Sequence, residues 1–123
     1  MTDFLLVGFG GFLGSVARYL FGQFFDFKNI AFPISTLIIN FIGSLIIGIV
    51  GFSVPNFTKP TLFLKVGLCG GFTTFSTFSL ETFNMLKSGK TILALLYSFL
   101  SIALCLIGVL LGKLISKTFY NSN

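Results

Sequence analysis

The sequence predicts an all-α membrane protein of four transmembrane helices, and three observations carry that expectation. Of its 123 residues, 54% are hydrophobic and only 9% are charged, whereas soluble domains carry about 25% charged residues. Apolar stretches of about 20 residues, the length that crosses a bilayer as a helix, recur four times. The connectors between them are short, so residues 1–123 are expected to form a single domain.

The first span covers residues 4–25 and is interrupted only by Arg18. It is long, has no basic leader and is followed by further spans, so a cleaved signal peptide is not expected. The second lies between Pro33 and Pro55. The third lies between Lys65 and Lys87 and contains Glu81. The fourth covers residues 91–112, leaving connectors at 26–29, 55–60 and 87–90. Small residues four apart let membrane helices approach closely. Gly10 and Gly14, Ser44 and Gly48, and Gly108 and Gly112 are such pairs, one in each of three spans. Helix packing is the better account of them, although glycine is common in membrane helices generally. The Gly8-x-Gly10 spacing does not make a dinucleotide loop, because Leu13 takes the third glycine position and no strand precedes it.

Four spans put both termini on one side of the membrane. Lys59, Lys65, Lys113 and Lys117 fall on that side. Arg18, Lys28, Lys87 and Lys90 fall on the other. Lys and Arg in short loops set membrane orientation, and a balance of four against four sets almost none. Insertion in both orientations follows, and with it the expectation of an antiparallel, dual-topology homodimer.

Composition also removes whole classes of function. There is no His, and only three carboxylates are present, so no ordinary metal cluster or acid–base pair can be assembled. An enzyme is not expected. The net charge of +5 is scattered and makes no nucleic-acid patch; lysines meeting lipid headgroups account for it. Cys69 and Cys105 sit among apolar neighbours and are read as small buried residues, not as a disulfide.

The polar residues inside the spans lie in order on the helix faces. Thr36, Asn40 and Gly43 share one face of the second span. Tyr97, Ser101, Cys105, Gly108 and Gly112 share one face of the fourth. Such faces either form interhelical hydrogen bonds or line a path for a small solute.

The stretch GLCGGFTTFSTFSLE at residues 67–81 favours the path. Adjacent glycines at 70 and 71, followed by β-branched Thr73 and Thr74, disfavour an unbroken helix. Backbone freed at membrane depth must be satisfied by protein, water or an ion, and free carbonyls there can coordinate a cation. Phe75 and Phe78, three apart, lie on one side of the resumed helix. The edge of a phenyl ring is electropositive, so it can meet an anion without holding it as tightly as a full charge would. Conduction needs such moderate binding. Asn40 adds an amide donor, and Ser76 and Thr77 add hydroxyls. Together these residues describe an anion path.

At this point the sequence resembles the Fluc/CrcB family of fluoride channels. The string GGFTTFSTF carries most of the resemblance. Gly11, Gly14 and Arg18, the Asn40-x-x-Gly43 pair, and the Tyr97 and Ser101 face extend it over essentially the whole chain. The resemblance implies a passive fluoride channel made of two antiparallel copies, with two pores each built from both copies. Its cell would hold it in the plasma membrane, most simply that of a bacterium. Phe75, Phe78 and Asn40 would line the fluoride pathway, with Thr77, Tyr97 and Ser101 along a polar track and Arg18 near the pore mouth. Gly70 and Thr73 would offer backbone carbonyls to a central structural sodium ion. A snorkelling or structural Arg18 is the other reading, and Glu81 is open between pore mouth and structural partner. Cys105 departs from the pattern, because a hydroxyl is expected at its place in the track. Two further readings stand beside the channel. A small multidrug antiporter would need a membrane carboxylate, for which Glu81 is the only candidate. A purely structural subunit would use the same glycines and hydroxyls for packing alone.

Overall fold

A computed structural model describes residues 1–25 and 30–121. The expected connector at 26–29, with Lys28, lies outside the described residues. The described chain is helical throughout. It contains α1 (Thr2–Phe24), α2 (Ile34–Ser53), the single turn α3 (Lys59–Thr61), a π-helical segment (Leu62–Cys69), the short α4 (Gly70–Phe72), α5 (Phe75–Lys87) and α6 (Thr91–Asn121). Three stretches are long and apolar enough to cross a membrane: Thr2–Phe24, Ile34–Ser53 and Thr91–Phe119. The chain is a multi-pass membrane protein.

The helix ends follow local chemistry. α1 begins with Asp3 in its first turn, where a carboxylate complements the positive end of the helix dipole. α2 stops at Val54, which is extended at φ −123° and ψ 135° because the following Pro55 disfavours helical backbone. α5 ends in a Schellman motif. Gly89 takes φ +76°, its N–H bonds the Leu86 carbonyl, and the Lys90 N–H bonds the Met85 carbonyl. Glycine meets that left-handed position without a side-chain clash.

The stretch expected as the third span departs from a single helix in two ways. An eight-residue π-helix precedes α4, far longer than the single-turn π-bulges usually seen. The helical backbone then stops after Phe72 and resumes at Phe75, with Thr73 (φ −79°, ψ 159°) and Thr74 (φ −150°, ψ 114°) extended between. The expected break, Gly70 to Thr73, overlaps the observed one at Thr73. Gly70 and Gly71 are helical, so the glycine pair itself does not break the helix. The fourth helix also runs beyond its expected end at Gly112, which is an interior packing position.

Glycine sets how the helices approach. α1 packs on the π-segment and α4, and α2 packs on α6. A Cβ placed on Gly10 would lie 2.5 Å from the Phe63 carbonyl oxygen, and one on Gly14 would overlap the Leu68 carbonyl. Gly71 meets Gly11 in the same way. On the other side, a Cβ on Gly48 would lie 2.5 Å from the Val109 carbonyl oxygen, and one on Gly112 would overlap that of Leu45. All three expected small-residue pairs therefore sit at close helix contacts. Ser53 donates a 2.7 Å hydrogen bond to Ser116 Oγ and ties the far ends of α2 and α6.

The interior is small. Met85, Ala94 and Tyr97 are buried, with Phe32, Leu37, Phe78 and Leu93 packed around them. Only 11% of the most apolar stretch of α1 is buried. Its phenylalanines at 4, 9 and 12 point outward, so this apolar surface is matched to lipid or to another protein surface rather than to a core.

The glycine contacts predict a contrast. Gly14→Ala should lower the thermal unfolding midpoint in detergent, by the equivalent of about 1–3 kcal/mol. Gly22→Ala, where an added Cβ meets nothing within 4 Å, should be neutral or slightly stabilising. Equal effects at the two positions would contradict the packing described.

Candidate functional site

The site is built around the two extended residues. A helix that stops inside an apolar setting leaves backbone groups without partners, and each must be met. Thr74 is buried, and the Asn40 side chain meets both its groups. The Thr74 N–H donates to Asn40 Oδ1 at 2.8 Å, and Asn40 Nδ2 donates to the Thr74 carbonyl at 3.1 Å. A side-chain amide presents one donor and one acceptor in the spacing of a peptide group, so one asparagine replaces a missing backbone partner. Arg18, reaching from α1, donates from Nη1 to the Thr73 carbonyl at 3.2 Å. Thr73 also donates its hydroxyl to the Cys69 carbonyl at 2.8 Å.

Thr74 then starts the next helix. Its side-chain oxygen accepts from the Thr77 N–H at 3.1 Å, the usual bond of an N-cap threonine. It also hydrogen-bonds the Thr77 hydroxyl at 3.0 Å and lies 3.3 Å from Ser76 Oγ. Thr74 was expected only to disfavour an unbroken helix; its capping role was missed, although a threonine directly ahead of a helix is an N-cap signal.

Phe75 and Phe78 emerge from the start of α5 with ring centroids 5.4 Å apart and planes at 43°. Phe78 lies 5.2 Å from the Tyr97 ring, and Tyr97 meets Phe32 nearly edge-on at 5.3 Å and 85°. The row runs from the outward-facing Phe75 to the fully buried Tyr97. Its inner end is fixed by Glu81. Thr36 donates to Glu81 Oε1 at 2.8 Å, and the Tyr97 hydroxyl donates to Oε2 at 2.7 Å. The Thr36, Asn40 and Gly43 face of α2 thus reaches Glu81, Thr74 and the Thr73 side chain in turn.

A cavity of about 410 Å³ lies beside the interruption, between α2 and α6. Asn40, Thr73, Thr74, Phe75, Phe78, Ser101 and Cys105 contribute to its wall, together with Gly43, Ser44 and aliphatic residues. No lining residue carries a charge. Ser101 is only 7% exposed, and its hydroxyl has no hydrogen-bond partner. A buried hydroxyl left unpaired is costly; Ser101 Oγ lies beneath the cavity wall rather than on its surface, with the Tyr97 hydroxyl as its polar neighbour. Asn40 uses one amide hydrogen on Thr74 and has a second. The chemistry offered is a few neutral donors and two aromatic rings, which suits a small, partly dehydrated anion better than a cation.

The other expected residues lie apart from the cavity. Ser76 and Thr77 are exposed on the first turn of α5. Tyr97 is sealed behind Phe78, with its hydroxyl on Glu81. Arg18 serves the Thr73 carbonyl. Gly70 is exposed, and a Cβ there would meet nothing within 4 Å. The Thr74 N–H that regular helix would direct to the Gly70 carbonyl goes instead to Asn40. That carbonyl lacks its helical donor and is a fit oxygen ligand for an alkali cation. The Thr73 carbonyl shares itself with Arg18 and keeps one lone pair. No cluster of His, Cys, Asp or Glu able to hold a metal is found among the described residues.

Long apolar helices, with an interrupted helix held by side chains from two neighbours and an open, uncharged and largely apolar cavity beside it, describe a multi-pass membrane protein. The chain belongs to the CrcB family: residues 5–113 match the family model described as CrcB-like protein, Camphor Resistance (CrcB). It is 46% identical over 123 residues to the fluoride-specific ion channel FluC of Ruminiclostridium cellulolyticum, covering 96% of this chain and 95% of the relative. It is 44% identical over 116 residues to the protein of the same name from Elusimicrobium minutum, covering 91% of each. A third of that name, from Clostridium novyi, is 38% identical over 123 residues and 94% of each chain. The family groups the chain with channels and not with enzymes.

The Asn40 pairing predicts a large stability effect. Asn40→Ala strands a buried N–H and a buried carbonyl, at about 1–3 kcal/mol for each unsatisfied group. Asn40→Asp keeps the acceptor and loses the donor, so its thermal midpoint should fall between those of Asn40→Ala and the parent. An Asn40→Ala protein as stable as the parent would show that the pairing holds nothing.

Proposed function

We propose that this protein is a passive, fluoride-selective channel of the cell membrane, through which cytoplasmic fluoride leaves down its electrochemical gradient. The names of its relatives give the ion. The observation that carries the reading for this chain is the cavity itself, where rings and neutral donors meet without a charged residue. Fluoride enters cells as neutral HF and ionises inside, where the anion is trapped. A selective leak for the anion relieves the trap without a coupled energy source.

In this reading Phe75 and Phe78 present ring edges to the dehydrating anion. Asn40 and Ser101 replace part of its water shell with fixed donors, and Cys105 adds a weaker one. Ser76 and Thr77, exposed on the first turn of α5, extend the polar track outward; Tyr97 backs the Phe78 ring from behind, and Arg18 keeps positive potential near the mouth. Binding by several weak sites lets the ion move on. Two copies inserted in opposite senses form the working unit, supported by the balanced lysine count and the outward apolar faces. Each copy contributes to two pores. At the shared axis the Gly70 and Thr73 carbonyls hold a structural sodium ion. That ion would supply fixed positive charge and join the copies; it is not transported.

Fluoride efflux from liposomes loaded with potassium fluoride, started by a potassium ionophore so that potassium leaves with the anion, and followed with a fluoride electrode beside liposomes loaded with potassium chloride, tests the function. Rapid fluoride release with no matching chloride release is expected, and equal release of both would overturn the proposal. Phe78→Ile keeps apolar bulk and removes the ring edge. Its flux should fall by about tenfold or more, the change that roughly 1.4 kcal/mol of barrier makes, while the dimer persists. Replacing sodium by a bulky organic cation should loosen the dimer, seen as a shift toward monomer by size-exclusion chromatography. A dimer indifferent to sodium removes the ion from the proposal and leaves the flux prediction standing.

A further inference from the structure

The loop between α2 and α3 carries a feature that the pathway does not use. Phe57 is 91% exposed and adopts φ +61°, the one left-handed residue other than glycine among those described. A bulky L-residue in that region is strained, and Gly or Asn would take the position more easily. The loop is nevertheless held firmly. The Thr58 hydroxyl donates to the Pro55 carbonyl at 3.0 Å, and the Thr58 N–H donates to Thr61 Oγ1 at 2.9 Å. Thr61 is only 3% exposed. A fixed loop thus holds a phenyl ring outward at the end of a membrane-crossing helix. Strain kept at a rigid, exposed position points to a role for what is displayed there.

The surroundings indicate what the ring meets. Lys59 follows two residues later. Lys113 Nζ lies 5.1 Å from the centre of the Phe52 ring at the same end of the α2–α6 pair. Lys117 lies one helical turn beyond, next to Ser116, which is bonded to Ser53. Phe52 and Phe119 are also exposed there. Exposed rings and lysines gathered at one end of two apolar helices match the boundary between acyl chains and phosphate headgroups. A soluble partner would instead have to compete with the bilayer for this surface.

We infer that Phe57 is an interfacial anchor, held by the strained 55–61 loop so that its ring enters the acyl–headgroup boundary while Lys59 meets lipid phosphate. The anchor fixes how deep this end of α2 sits and is independent of which ion the protein carries. The chain contains no tryptophan, so Phe57→Trp places a single reporter at the loop tip. In liposomes containing phosphatidylglycerol, its emission should shift to the blue. It should be quenched by lipids brominated near the headgroup end of the acyl chain and little by aqueous iodide. Quenching by iodide and not by lipid overturns the proposal. Quenching by neither does so as well, because it places the ring against protein. Phe57→Asn is the second arm. Asparagine tolerates the left-handed backbone, so relief of strain alone should raise the thermal midpoint. In liposomes we expect that midpoint to fall below the parent's instead, and an equal or higher midpoint would overturn the anchor.

Discussion

The fold depends on one pairing, that of the Asn40 side chain with the backbone of Thr74. An interruption in a helix within an apolar setting is stable only if the groups it frees find partners. Asn40 supplies a donor and an acceptor from a neighbouring helix at once. With that contact made, Thr74 turns its hydroxyl to the start of α5, and the position of Phe75 and Phe78 follows from the first turn of that helix. Arg18 secures the adjoining peptide from the opposite side. The interruption is therefore a joint between α1, α2 and α5, and its rigidity sets the geometry of the cavity wall.

The same arrangement explains why the site needs no charged residue. A lysine in the wall would hold a small anion strongly, and a carboxylate would repel it. Every formal charge near the site is already engaged elsewhere. Arg18 faces a carbonyl, and Glu81 accepts from Thr36 and Tyr97. What remains on the wall is the spare hydrogen of Asn40 and the rings, with the Ser101 hydroxyl just beneath. In the proposed channel such a wall would discriminate by how well a few fixed dipoles replace water, and would bind weakly at any single point.

Much of this was legible in the sequence, and the misses have physical causes. Apolar length gave α1, α2 and α6, because hydrophobicity over 20 residues is a strong signal. Spacing by four gave the glycine contacts and placed Thr36, Asn40 and Gly43 on one face. Of the break expected over Gly70 to Thr73, the glycine part is helical, because glycine is permissive and does not compel a break. Gly71 is there so that the Gly11 backbone can come close. The π-segment leaves no mark in composition. The partner of Asn40 was hidden as well, since periodicity shows which face a residue is on and not which peptide it meets across a gap of 34 residues. The role of Glu81 was open in the sequence, and the two hydroxyls that bond it were visible only as separate entries in two polar faces.

The length of α6 carries a consequence for depth. From Thr91 to Ser101 the helix rises about 15 Å, and from Ser101 to Lys113 about 18 Å, at about 1.5 Å per residue. Together these match the roughly 30 Å hydrocarbon thickness of a bilayer. A helix standing near upright, with Lys113 at one boundary and Thr91 at the other, holds Ser101 within a few ångströms of the midplane. A site at mid-depth keeps its level when the molecule is turned over. In the proposed antiparallel dimer the two cavities would therefore lie side by side at one height, with no need for one copy to shift along the membrane normal to meet the other.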